Sequence, residues 1–238
     1  MTIFYNFHSN SDDFPTVDKK INWMMDALVS LTNNSSIPMD KMGSEGYFYM
    51  VYRATYYFNE GKWGDKVISR AMLTGMDRFF LNRRVELCNP GEKILATGLS
   101  QWFIFDRKNN AITPWKDDWI NALGKFEDRE FNILSAKRHR GGWDKETCGK
   151  VTEDDLDYNM HVNNTIYVRL MLSVAIDQGL SVENLKKFSI NYVNELTLHD
   201  EYNVFLYIKE NKSFHEVRKK DGTVCSRGEG EWLNSTIL

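Results

Sequence analysis

A chain of 238 residues with 30 basic and 33 acidic side chains has a formal charge of −3, and the two signs are interspersed. No global field therefore draws it to nucleic acid or an anionic membrane surface, and no apolar run approaches the ~20 residues of a membrane helix. The length allows one large domain or two of about a hundred residues, each with a core of its own.

The opening residues lack a basic segment followed by an apolar one, and Asp12 and Asp13 follow soon, so a cytoplasmic chain without a targeting peptide is expected. A short strand is predicted around Ile3 to Phe7. Helix-start signals follow at Asp13 to Thr16, including Pro15. Val17, Ile21, Met24, Met25, Leu28 and Leu31 then recur at helical spacing, and the helix should end before Asn33-Asn34-Ser35-Ser36. Four strands rich in aromatic and β-branched residues are predicted next, at Tyr47 to Phe58, Lys66 to Thr74, Arg78 to Cys88 and Lys93 to Phe105. The turns between them are marked by Asn59-Glu60-Gly61, Gly75-Met76-Asp77 and Asn89-Pro90-Gly91.

From Pro114 to about Gly149 the pattern weakens. Trp115 and Trp119 suggest a short helix, and the basic run Lys137-Arg138-His139-Arg140 leads into Gly141-Gly142. This reads as a connection, giving a division into residues 1–133, a linker 134–147 and residues 148–238. The second unit repeats the order of the first: an opening segment to Asn159, a helix from Asn164 stopped by Gly179, then strands near Leu185 to Leu196, Tyr202 to Glu210, Ser213 to Lys219 and Thr223 to Leu233. Gly222 after Asp221 marks a hairpin turn. The repeat is legible in architecture and not in residue identity.

Chemistry concentrates in Leu156-Asp157-Tyr158-Asn159-Met160-His161-Val162-Asn163-Asn164. In an extended segment Asp157, Asn159 and His161 share one face; a helix would keep Asp157 beside His161 but turn Asn159 away. Asn163-Asn164 is a helix start, since an Asn side chain accepts from the orphan N–H groups of a first turn. A polar triad thus leads into a helix N-terminus, where partial positive charge meets a developing anion. On spacing alone, the reading in which these residues merely satisfy turn and cap hydrogen bonds ahead of a buried helix takes the larger share.

The string Leu-Asp-x-Asn-x-His-Val-Asn-Asn-x-x-Tyr, here Leu156 to Tyr167, resembles the signature of the acyl-[acyl-carrier-protein] thioesterases, the plant fatty-acyl thioesterases and their bacterial relatives. Tyr192-Val193-Asn194-Glu195-Leu196 stands where that family has Tyr-x-x-Glu-Cys, and Trp63-Gly64-Asp65 falls at a Trp-Gly-Asp the family also carries. One helix followed by four antiparallel strands, twice, is the layout of an α+β double hotdog, two tandem helix-wrapped sheets forming a pseudo-dimer, and the resemblance implies the same fold. The catalytic site would then lie between the halves, with the first half, which has no polar run on its helix, as the acyl pocket.

The resemblance implies thioester hydrolysis with Asp157, Asn159, His161 and Glu195 as catalytic residues. One carboxylate, Asp157 or Glu195, would activate water, His161 would relay a proton or protonate the thiolate, and Asn159 would orient the acid or the substrate carbonyl. Backbone N–H groups of Val162, Asn163 and Asn164 are the expected oxyanion donors. Leu196 replaces the plant Cys, and Cys88, Cys148 and Cys225 lie outside the motifs, which disfavours a thiol nucleophile and favours water or a carboxylate.

The three cysteines are scattered and the five histidines lack metal-ligand spacing, so no disulfide framework, metal or cofactor is expected. Acyl carrier protein, being acidic, is the expected partner. Lys137, Arg138 and Arg140 are its expected docking cluster, ahead of Lys186-Lys187 and Arg218-Lys219-Lys220. A homodimer through a sheet edge is compatible with this layout. Acyl-CoA hydrolysis, 3-hydroxyacyl dehydration and non-catalytic acyl binding are the rival readings.

Overall fold

The computed structural model of the chain describes residues 1–6, 15–61, 63–157 and 160–233. Asp13, where a helix start is expected, and Phe7, at the end of the opening strand, lie outside the described residues. The chain divides into two compact units, Met1–Pro15 with Lys19–Ile133, and Thr16–Asp18 with Leu134–Leu238. Residues 134–147, expected as a linker, fall within the second unit.

In the first unit β1 (Thr2–Asn6) is followed by α1 (Val17–Asn33), a short α2 (Met39–Ser44) that periodicity does not reveal, and β2 (Tyr47–Phe58), β3 (Lys66–Met76), β4 (Leu81–Cys88) and β5 (Ile94–Asp106). The hairpin partner β6 (Ala111–Thr113) and the short α3 (Asp117–Leu123) complete it. The strands pair antiparallel, in the order β1-β3-β4-β5-β2. Trp119 lies in α3, whereas Trp115 precedes it and donates its indole N–H to the Phe79 carbonyl.

The second unit repeats this plan. It comprises β7 (Lys145–Lys150), α4 (Asn164–Asp177), β8 (Leu185–Tyr192), β9 (Glu201–Lys209), β10 (Lys212–Lys219) and β11 (Val224–Trp232), in the antiparallel order β8-β11-β10-β9-β7. The hairpin between β10 and β11 turns at Gly222, whose φ of +89° suits glycine. Strand for strand, β2 to β5 correspond to β8 to β11, and β1 and β7 occupy equivalent edges.

Each helix is seated on its sheet at a glycine. A Cβ on Gly98 of β5 would lie 2.9 Å from both Met24 Sδ of α1 and Val85 Cγ1 of β4. A Cβ on Gly228 of β11 would lie 2.5 Å from Met171 Sδ of α4 and 2.8 Å from Phe188 Cζ of β8. These distances are below carbon contact, so only glycine admits the helix this closely. Four residues beyond each glycine stands a buried tryptophan, Trp102 and Trp232. A glycine and a tryptophan thus recur at corresponding register positions of β5 and β11. Those positions are too few and too far apart for the repeat to show in the sequence.

The units diverge in what they bury beneath the helix. In the first, Arg83 of β4 is fully buried and donates through Nη1 to Thr32 Oγ1 at 2.7 Å, beside the last turn of α1. A guanidinium complements the negative end of the helix dipole there, where α1 has no basic residue of its own. Its plane lies over Trp102, 4.6 Å from the ring centroid, and burial draws its pKa down to about 10. At the register position of Arg83 the second unit has Ser213, whose Oγ accepts from the indole of Trp232 at 2.9 Å and lies 2.8 Å from His215 Nε2. His215 is fully buried, and desolvation lowers its pKa to about 3.

Gly228→Ala should destabilise the protein by about 1–3 kcal/mol through overpacking against Met171, measured by denaturant unfolding at constant slope m. The His215 pKa is depressed on folding, so the unfolded chain takes up the proton first. Its contribution to stability is complete above the unfolded value of about 6.5 and is lost as pH falls towards about 3, with a slope of at most ~1.4 kcal/mol per pH unit. His215→Gln should flatten the stability curve in that window; equal slopes for both proteins would contradict the assignment.

Candidate active site

The run from Leu156 to Asn163 is a closed loop, not the extended segment that period two suggests. Leu156 and Val162 face each other as an antiparallel bridge, flanked by Asp157 N–H donating to the His161 carbonyl at 2.7 Å and Asn163 N–H donating to the Asp155 carbonyl at 2.9 Å. Met160 turns the chain with φ of +63° and donates its N–H to the Asp157 carbonyl at 3.0 Å. The Asp157 carboxylate then accepts the His161 backbone N–H through Oδ1 at 3.1 Å. Asp157 and His161 are thus neighbours because the loop folds back. Asn159, expected on the same face, lies outside the described residues.

Two further anchors hold this loop on α4. Asn163 caps the helix, its Oδ1 accepting from Thr165 N–H and Oγ1, both at 3.0 Å. Ahead of the loop, Asp155 is buried at the end of a 3-10 turn, Glu153–Asp155. Its Oδ2 accepts from the Thr152 N–H and hydroxyl, and its Oδ1 pairs with Arg169 Nη2 of α4 at 2.8 Å. Asp155 was not singled out from sequence, although Thr152-x-x-Asp155 has the spacing of a capping box.

Glu195 does not lie in a strand, as expected, but in the connection after β8. The strand stops at Tyr192 because Val193 and Asn194 both donate their N–H groups to the Cys225 carbonyl, at 2.8 and 3.1 Å, which ends regular pairing. From this connection Glu195 Oε1 reaches His161 Nδ1 at 3.3 Å, and the two side chains remain 37% and 42% exposed. A carboxylate at Nδ1 fixes the ring and leaves Nε2 as the nitrogen for proton exchange.

The three expected oxyanion donors are not equivalent. Asn163 N–H is committed to Asp155, whereas among the described residues the N–H groups of Val162 and Asn164, the latter opening α4, have no partner. Of the thiols, Cys88 and Cys225 are buried and Cys148 is exposed. Desolvation pushes the Cys225 thiol up to about 11, which keeps it protonated and poorly nucleophilic. Among the described residues no three His, Cys, Asp or Glu gather as a metal site, and no helix is long and apolar enough to cross a membrane.

The basic clusters also separate. Lys187 pairs with Glu231, Arg218 with Glu216, Lys219 with Asp200 and Lys220 with Glu201. Lys137, Arg138 and Arg140 are exposed and form no ion pair with a described residue. The segment bearing them crosses the second sheet. Ala136 N–H donates to Asn191 Oδ1 of β8, Lys137 N–H to Glu229 Oε2 of β11, and the His139 ring stacks on Tyr207 of β9 with centroids 4.0 Å apart.

Residues 143–234 match the family model described as the acyl-ACP thioesterase C-terminal domain. The match covers most of the second unit and none of the first. The loop, Glu195 and the cap of α4 all lie within the matched residues, in agreement with the resemblance read from Leu156 to Tyr167. The chain is 24% identical over 188 residues to a chloroplastic palmitoyl-acyl carrier protein thioesterase of Cuphea hookeriana, covering 71% of this chain. It spans 44% of that relative's length. In fold it is similar to an acyl-ACP thioesterase from Bacteroides thetaiotaomicron, with a TM-score of 0.81 at 16% identity, 98% of this chain and 97% of that one being covered. It is similarly close to a 12:0-ACP thioesterase from Umbellularia californica, with a TM-score of 0.82 at 19% identity and coverage of 98% and 96%. The double hotdog expected from the two-fold order of elements is therefore the fold of this chain, and the residues matched by the family model lie in its second hotdog.

Proposed function

We propose that the chain hydrolyses the thioester of a fatty acyl group on acyl carrier protein, releasing free fatty acid and terminating acyl chain synthesis. The observation that carries this is the His161–Glu195 pair beside the N-terminus of α4, within a domain of the matching family. In this reading Glu195 orients the imidazole and His161 Nε2 takes a proton from water as its oxygen attacks the acyl carbon. The oxyanion that forms is received by the N–H groups of Val162 and Asn164. Collapse breaks the C–S bond, the proton on His161 passes to the departing thiolate, and the carboxylic acid leaves. Asp157 shapes the loop by holding the His161 amide, and Asn159 is retained as the residue orienting acid or carbonyl.

The first hotdog, residues 1–133, is assigned the acyl chain, its helix having no polar run. The free thiols Cys88, Cys148 and Cys225 support a reducing, cytoplasmic location. Lys137, Arg138 and Arg140 are assigned the docking of the acidic carrier, because Arg218, Lys219 and Lys220 are paired with carboxylates and of Lys186-Lys187 only Lys186 is left without an ion pair among the described residues.

Thiol release from medium- to long-chain acyl-carrier-protein substrates, with matching acyl-CoA controls, tests the reaction. His161→Ala and Glu195→Ala should each lower kcat by about 10²–10⁴-fold. Asp157→Asn, which keeps an oxygen for the His161 amide, should retain more activity than Asp157→Ala. No thiol release from any thioester by folded wild type would overturn the proposal. Charge reversal at Lys137 and Arg138 should raise KM several-fold for carrier-bound substrate and leave acyl-CoA kinetics unchanged; an unaltered KM would remove the docking assignment.

A further inference from the structure

The two groups of the pair sit on two irregular segments, the loop 156–163 and the connection 193–200, and neither has a regular ladder to set its position. A pair of phenols connects them, one reaching from each side. Tyr167, on the second turn of α4, accepts the Leu196 N–H through its hydroxyl oxygen at 2.8 Å, at the residue directly after Glu195. Tyr192, the last residue of β8 and three residues before Glu195, donates its hydroxyl to the Asn164 carbonyl at 3.1 Å, three residues after His161. The two rings meet edge to face, 5.8 Å apart at 85°, so each phenol also braces the other.

From this geometry we infer that Tyr167 and Tyr192 are positioning residues that set the His161–Glu195 contact, an assignment resting on the thioesterase reading above. Tyr167 acts on Glu195 through the backbone of Leu196, and Tyr192 on His161 through the first turn of α4. Tyr167 is only 3% exposed, and Leu196 is fully buried, so the Leu196 N–H has no water to replace a lost phenol. Burial also holds the Tyr167 hydroxyl well above the usual tyrosine range, so it stays neutral throughout the working pH span.

Tyr167→Phe and Tyr192→Phe keep the rings and remove one bond each. A displacement of about 1 Å at a catalytic pair costs up to ~10²-fold in rate, so each variant should lose roughly 10- to 100-fold in kcat with KM within about twofold of wild type. Independently of activity, the ¹⁵N shift of His161 Nδ1, which reports its hydrogen bond to Glu195, should move in both variants. The double variant should lose less than the product of the single losses, since both bonds hold the same two segments. Wild-type kcat with an unmoved His161 signal would overturn the inference. Lost activity with an unmoved signal would also overturn it, because the phenol would then be acting directly. Inactive wild type would remove the thioesterase reading, and the His161 signal in the variants would still decide the clamp.

Discussion

The close seat of α4 on its sheet is the constraint on which the site depends. Gly228 lets the Met171 side chain lie against β11 where a Cβ would force it to shift. The loop before the helix, the cap at Asn163 and the ion pair from Asp155 to Arg169 all refer His161 to that helix. Glu195 refers to the same sheet through the carbonyl of Cys225. Two irregular segments can therefore present a defined pair because each is tied to a rigid element and those elements are pressed together.

Polar groups near the candidate site are divided between those engaged in structural contacts and those left open. The Asn163 amide and side chain, the Asp155 carboxylate and one oxygen of Asp157 are engaged in backbone or ion-pair contacts that shape the loop. His161 and Glu195 remain part-exposed, and the amides of Val162 and Asn164 have no partner among the described residues. Donors already spent on structure cannot respond to charge that develops in a reaction, whereas free donors at a helix start can.

The comparison between units shows one architecture specialised twice. Both keep the glycine under the helix and the tryptophan four residues on, the positions where packing leaves no choice. Elsewhere they part: Arg83 covers the end of α1, whereas the second unit places Ser213 and the neutral His215 at that depth. A buried cation over an indole and a buried neutral imidazole both fill space beneath a helix, but only the first also offsets a helix dipole.

Local signals in the chain determined a good deal by themselves. Strand β2 runs over the residues that β-branched and aromatic composition marked, the Asp221-Gly222 turn stands where expected, and the Asn163 cap begins α4. The motif from Leu156 to Tyr167 named the family because its residues are contiguous. Only the tertiary structure decided how they act. The loop at Met160 closes through a left-handed residue that alternation cannot reveal, and β8 ends early because one carbonyl of β11 takes two amides. Which basic residues remain unpaired depends on acids that the fold brings beside them, such as Glu231 beside Lys187 and Glu201 beside Lys220. Tyr167 meets the Leu196 amide across 29 residues, and no spacing rule reaches that far. Side chain to backbone bonds between distant segments are set by packing, and packing is a property of the whole fold.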